Sequence, residues 1–367
     1  MRKKVLTLLA LILLAASGAP AQINGSAGGW ADYNSNAFND ALGGGTLTLG
    51  AFLDIAADWP FGDSPLSLSA DYSGSYSAYL SYFERSHNDH WADALLVFDI
   101  GERGYLALGG AFDVQANSPD RKYYNNSSGK GVLESKAYLA DPVLIKMEAS
   151  VGRTVFSYFT DYDYKSTDVT GSLSLFLPTK TALIPQISFS NKRYSSENDS
   201  LAPQKITYLN PSLKFTQSLS KNAGLALTAG YQKNQVVADS FYMPDTLLRE
   251  VAEYFDYKGS RMEAKVTIMA PEPLIFYATY NNKDFSSLYA YEKAAADTSS
   301  PFTRISSDKL RRDQTTEVGA ELTLNTSERR ESKSKLILGG SYLINSSNDP
   351  YYDYSRFLLS ATIEYNF

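Results

Sequence analysis

Residues 354–367 read Tyr354-Ser355-Arg356-Phe357-Leu358-Leu359-Ser360-Ala361-Thr362-Ile363-Glu364-Tyr365-Asn366-Phe367. Taken in twos from the end, Phe367, Tyr365, Ile363, Ala361, Leu359 and Phe357 are all apolar or aromatic. The residues between them, Asn366, Glu364, Thr362, Ser360, Leu358 and Arg356, are polar at every position but one. Successive side chains of a strand point to opposite faces, so this period of two separates the two sets cleanly. A helix would scatter the same residues around its circumference. The stretch is therefore an extended strand with one apolar face and one face that carries Arg356 and Glu364.

The same alternation runs through the chain. Leu47, Leu49, Ala51, Leu53 and Ile55 alternate with Thr48, Gly50, Phe52 and Asp54. Residues 66–82 form the longest run, with Leu66, Leu68, Ala70, Tyr72, Gly74 and Tyr76 opposed to Ser67, Ser69, Asp71, Ser73 and Ser75. Further runs centre on 92–100, 105–114, 131–140, 143–151, 173–177, 183–189, 213–215, 225–231, 262–268, 274–281, 318–324 and 336–344. Proline within one of them, Pro185, calls for a local irregularity, because it has no ladder donor. Short connections (101–104, 141–142, 178–180, 218–222, 271–273, 325–333) alternate with mostly longer ones (115–130, 162–166, 194–204, 236–257, 285–309). The count suggests sixteen strands, with fourteen as the alternative if a hairpin is misread. The weakly patterned 22–45 serves either as the first strand or as a plug in a lumen.

The last strand, closing on Tyr365 and Phe367, resembles the terminal strand of bacterial outer-membrane β-barrel proteins of the porin-like kind. That resemblance implies that Tyr365 and Phe367 form an assembly signal read by the barrel assembly machinery. It also implies short periplasmic turns and longer extracellular loops, which matches the sorting of connections by parity. The fold expected is an all-β, transmembrane antiparallel barrel with a polar lumen, in the outer membrane of a Gram-negative-type envelope.

The start of the chain agrees with export. Met1-Arg2-Lys3-Lys4 is a cationic leader, residues 5–16 are apolar, and Ala19-Pro20-Ala21 supplies small residues before a cleavage expected ahead of Gln22. The apolar run is too short to span about 30 Å of hydrocarbon as a helix. Residues 1–21 are thus a signal peptide and 22–367 a single barrel domain. With no cysteine, thiol catalysis, disulfides and thiolate metal sites are excluded. Acids exceed bases, 40 to 34, and loss of the leader removes three bases and no acid. Nucleic acid is not an expected partner.

Placing the apolar set against outer-membrane lipid leaves Asp54, Asp71, Asp93, Asp99, Asp113, Glu134, Lys136, Lys146, Glu148, Glu263, Lys265, Glu317, Glu321, Arg356 and Glu364 facing the lumen. Such a face does not pack into a dry core, since unpaired buried charges cost several kcal/mol. Aromatic residues at 156–164 and 351–354 are expected as a headgroup girdle. His87 and His90 fall on an expected extracellular loop and suggest neither catalysis nor a metal site. Residues 245–256, and less clearly 286–296, carry apolar residues at helical spacing. No cofactor is implied. The function expected is passive diffusion of small hydrophilic solutes with mild cation preference. The alternative is a plugged barrel acting as a surface structural or adhesive protein through its long loops.

Overall fold

The computed structural model describes residues 22–37, 39, 43–195, 203–237, 254–269, 271–293, 304–325 and 333–367. Sixteen strands account for most of them: β1 (Gln22–Asn34), β2 (Thr46–Pro60), β3 (Leu66–Tyr79), β4 (His87–Asp99), β5 (Gly104–Asn117), β6 (Asn126–Ala140), β7 (Val143–Phe156), β8 (Tyr164–Leu177), β9 (Thr181–Tyr194), β10 (Lys205–Ser218), β11 (Ala223–Val237), β12 (Tyr257–Ile268), β13 (Leu274–Lys293), β14 (Arg304–Asn325), β15 (Lys333–Ser347) and β16 (Tyr354–Asn366). Each pairs antiparallel with its neighbour in sequence, and β1 pairs with β16 to close the barrel. Closure is what makes such a sheet tenable in hydrocarbon, where an unpaired edge would leave backbone groups without partners.

Gln22–Asn34 is a wall strand and not a plug. Its alternation is hard to read because bulk and glycine are traded across the ladder. Trp30 lies opposite Gly50 and Phe52 opposite Gly28. A Cβ added at Gly50 would stand 2.0 Å from Trp30 Cζ2, and one at Gly28 would stand 2.6 Å from Phe52 Cε1. Each ring occupies the space that the facing side chain would need.

Proline marks two local gaps in the ladder. Pro185 pairs with Leu213 of β10, while on the β8 side the register is interrupted between Ser172–Gln186 and Leu175–Leu183. Pro211 pairs with Ile187 of β9, and the gap falls on its β11 side. In both cases the missing N–H coincides with the interrupted side.

Two expectations are corrected. His87 and His90 belong to β4, not to a loop, because the alternation starts five residues earlier than Ala92. The segment 286–293 is a continuation of β13, not a helix; it pairs with β14 through register shifts beyond Asp284. The helical reading of 245–256 lies outside the described residues except for its last three. The leader, 1–21, also lies outside them.

The rim holding 61–65, 100–103, 141–142, 178–180, 219–222 and 271–273 carries the short turns, together with the start of β1 and the end of β16. By the barrel rule it is the periplasmic rim. The other rim carries 35–37, 43–45, 80–86, 118–125, 157–163 and 348–353 among the described residues. β13 and β14 are the longest strands, at 20 and 22 residues, and extend on that outer side.

Candidate functional site: the lumen wall

Residues paired across an antiparallel ladder share a face, so the register alone separates inside from outside. One row runs Ser26, Asp54, Ser73, Trp91, Asp113, Ser128, Thr154, Tyr164, Tyr194 across β1 to β9. It begins near the periplasmic end of β1 and finishes at the extracellular end of β9, as tilted strands require. The opposite face bears Leu108, Ile363, Val151 and Leu359, exposed by 63, 63, 61 and 55%. This apolar face is convex. The row's face is concave: Trp91, Asp113, Ser128, Lys130, Thr154 and Asp168, drawn from five strands, line one recess of about 320 Å³.

All fifteen polar-face residues named from the sequence fall on the concave side. Asp54 lies on β2, Asp71 on β3, Asp93 and Asp99 on β4, and Asp113 on β5. Glu134 and Lys136 are on β6, opposite Glu148 and Lys146 of β7. Glu263 and Lys265 (β12), Glu317 and Glu321 (β14) and Arg356 and Glu364 (β16) complete the set. Register brings some of them together. Asp71 faces Asp93, and the Asp71 N–H donates to Asp93 Oδ1 at 3.2 Å. Ser26 Oγ donates to Asp54 Oδ2 at 3.2 Å. Glu364 pairs with Lys335 Nζ at 2.8 Å, and Arg356 Nη1 donates to Asn39 Oδ1 at 2.8 Å. Asp99 is apart, at the periplasmic rim, with Tyr105 as its register partner.

The sequence reading omitted several residues of the same face. Asp32, Asp58, Asp89, Lys130, Asp168, Lys192, Lys214, Arg261 and Lys335 lie there as well. Extending the alternation to each strand's true ends would have found most of them. Asp168 is held by two hydroxyls, Ser190 Oγ at 2.6 Å and Ser150 Oγ at 3.4 Å. With these included, charge is uneven around the wall. Carboxylates dominate β1 to β5, where Asp32, Asp54, Asp58, Asp71, Asp89, Asp93, Asp99 and Asp113 share the face with no lysine or arginine. Lys192, Lys214, Arg261, Lys265, Lys335 and Arg356 supply the opposite charge on β9 to β16.

Part of the expected aromatic girdle at 156–164 and 351–354 turns instead to the concave face at that rim. Phe156, Tyr164 and Tyr194 share the concave face. Tyr254, from the connection before β12, stacks on Tyr162 at 6.4 Å and meets Tyr194 edge-on at 5.8 Å, over buried Ile206. Across the mouth, buried Arg311 pairs with Asp313 at 2.6 Å, and its guanidinium lies 3.2 Å from the Tyr352 ring centroid. Burial holds the nearby Asp349 carboxyl above its usual range. The N–H donors of Tyr351 and Tyr291 and the Arg311 charge act in the other direction. Strand propensity and period cannot distinguish an aromatic residue on the convex face from one that folds over the lumen. Lipid-side rings come from elsewhere, among them Phe98, Phe189, Phe276, Tyr342 and Phe357.

The two histidines are separated by the wall. His87 points inward, with Nε2 3.1 Å from Asp89 Oδ2. His90 points outward, with Nδ1 3.0 Å from the Tyr72 hydroxyl. Among the described residues no group of three or more His, Asp or Glu side chains is arranged to hold a metal ion.

No family model matches the sequence, and no curated protein matches it. Solved structures do. The chain is similar to the outer membrane protein OprD from Pseudomonas aeruginosa at 9% identity, covering 95% of this chain and 94% of that one with a TM-score of 0.51. OccK7 (OpdD), also from Pseudomonas aeruginosa, aligns at 8% identity over 95% and 99% of the two chains with a TM-score of 0.50. A bacterial polysaccharide outer membrane secretin aligns at 9% identity over 94% and 97%, also with a TM-score of 0.50. At such identities the likeness is one of fold. That fold is the closed sixteen-stranded antiparallel barrel of a porin-like outer-membrane protein.

Proposed function

We propose that the protein is a passive channel for small hydrophilic solutes with a mild preference for cations, exported by its leader and cleaved before Gln22. The observation that carries this reading is the polar, charge-bearing face that runs around all sixteen strands. Barrels of this size leave a water-filled interior, because wall side chains are too short to meet across it. A wall lined with carboxylates and hydroxyls keeps that interior wet and offers ligands to a partly dehydrated cation. The acid-rich arc from β2 to β5 is the favoured cation path. Asp54, Asp71, Asp93, Asp99 and Asp113 contribute there, and Glu134 and Glu148 extend it. Glu263, Glu317 and Glu321 add to the acid side of the far wall. The fold neighbours include outer membrane protein OprD, which supports transport over catalysis at the level of fold analogy.

Planar bilayers test the proposal. The purified chain should give discrete conductance steps, and under a potassium chloride gradient the reversal potential should shift toward the cation side. A shift toward the anion side would overturn the selectivity. Silence at every voltage would overturn the channel and favour the plugged, surface-binding alternative.

A further inference from the structure

On the lipid-facing side, the lysines and arginines of β1 to β12 are confined to a belt: Arg153, Lys165, Arg193, Lys205, Lys233 and Lys258, one on each strand from β7 to β12. No Asp or Glu shares that face on those strands, and β1 to β6, β15 and β16 carry neither sign there. Yet the chain as a whole has more acids than bases.

All six lie toward the extracellular ends of their strands. Arg153, Lys165, Arg193 and Lys205 are direct register partners across β7 to β10. Strands stand about 4.8 Å apart, so four cations occupy a row roughly 15 Å long. A row of partners climbs the tilted wall. Lys233 sits four residues below Val237, the partner of Lys205, which returns the belt to the same level. From there it continues through Lys258 to the Asp284–Arg312 ion pair at 2.5 Å. Arg153 has a partner in Asp163 at 3.3 Å. Lys165, Arg193 and Lys205 have no carboxylate within ion-pairing distance among the described residues.

Like charges set directly opposite one another destabilise a ladder. A row of this kind therefore needs an external anion. Directly beneath the row lie Val151, Thr167, Asn191 and Thr207, and below those the same face turns apolar, with Ala149, Val169, Phe189 and Leu209 as successive register partners. The ligand must be anionic at the belt and hydrocarbon below it. We propose that β7 to β12 form a docking surface for phosphate-bearing lipid headgroups of the outer leaflet. The long side chains lie along the apolar wall and present their charges at headgroup level.

The full chain in phosphatidylcholine nanodiscs, with and without added phosphatidic acid, tests this. Lipid retained on the protein is measured by native mass spectrometry, together with the unfolding midpoint. The parent should retain phosphatidic acid over phosphatidylcholine by about tenfold or more. A triple variant, Lys165→Gln, Arg193→Gln and Lys205→Gln, should lose that preference while keeping its barrel circular dichroism. The charge-preserving triple, Lys165→Arg, Arg193→Lys and Lys205→Arg, should keep it. Phosphatidic acid should raise the midpoint in the parent, and inorganic phosphate added to plain phosphatidylcholine discs should not. Equal retention by the parent and the Gln variant would overturn the proposal. So would a midpoint shift reproduced in full by inorganic phosphate.

Discussion

At the scale of single residues, the proposed cation preference rests most on Asp71 and Asp93. They face each other across β3 and β4 on the concave side, with the Asp71 backbone N–H already bonded to Asp93. Two carboxylates in register repel unless a cation lies between or near them. Replacing both with Asn removes the charge and keeps the shape. The cation-to-anion permeability ratio should fall by about twofold at low salt, with less effect at high salt, where screening is shorter-ranged. Reversal potentials at two salt concentrations check this, and an unchanged ratio would remove the pair from the cation path. That both residues are on the polar face was legible in the sequence. That they are partners was not: it depends on the β3–β4 register, and the sequence reading placed the first five residues of β4 in a loop.

The decisive element is the seam between β1 and β16. Gly25 and Phe367 exchange two backbone hydrogen bonds, each 2.9 Å, and a Cβ at Gly25 would stand 2.5 Å from Phe367 Cε2. The Phe367 ring covers the glycine on the lipid face, so the seam combines ladder bonds with a close ring-to-backbone contact. Gly25→Val should push the ring outward and weaken closure, costing about 1–3 kcal/mol as an overpacked contact. The expected readout is a lower temperature for loss of the compact, heat-modifiable form on semi-native gels. A variant as heat-resistant as the parent would show that the ring moves aside freely. The resemblance singled out Tyr365 and Phe367 as a recognition signal, whereas the structure adds a mechanical partner for Phe367. Gly25 is invisible in the sequence because a glycine carries no period.

At the scale of the whole molecule, stability is cooperative around the circle. Among the described residues the barrel has few buried apolar side chains; what holds it is an unbroken ring of strand pairs. Removing residues 22–34 should expose the facing edges of β2 and β16, and unpaired backbone groups cost several kcal/mol each in hydrocarbon. This shortened chain should fail to yield a folded monomer in detergent and should aggregate through those edges. Recovery of a stable fifteen-stranded barrel would show that the ring can reclose and that β1 is dispensable.

The sequence by itself determined the alternation, the division into an apolar and a charged face, and the sorting of short and long connections. These are local properties, set by a two-residue period and by turn composition. Together they specified an outer-membrane barrel and nearly all of its strands. Only the tertiary structure decided that 22–34 is the first strand, that Phe156 and Tyr164 turn to the concave face, and that outward bases form a belt. Each of these depends on register between strands. A strand's own residues fix which side a charge faces, but only its neighbours fix what stands beside it. Residues 354–367 illustrate both halves: their faces are written in their order, and their role as the closing seam exists only once β1 lies against them.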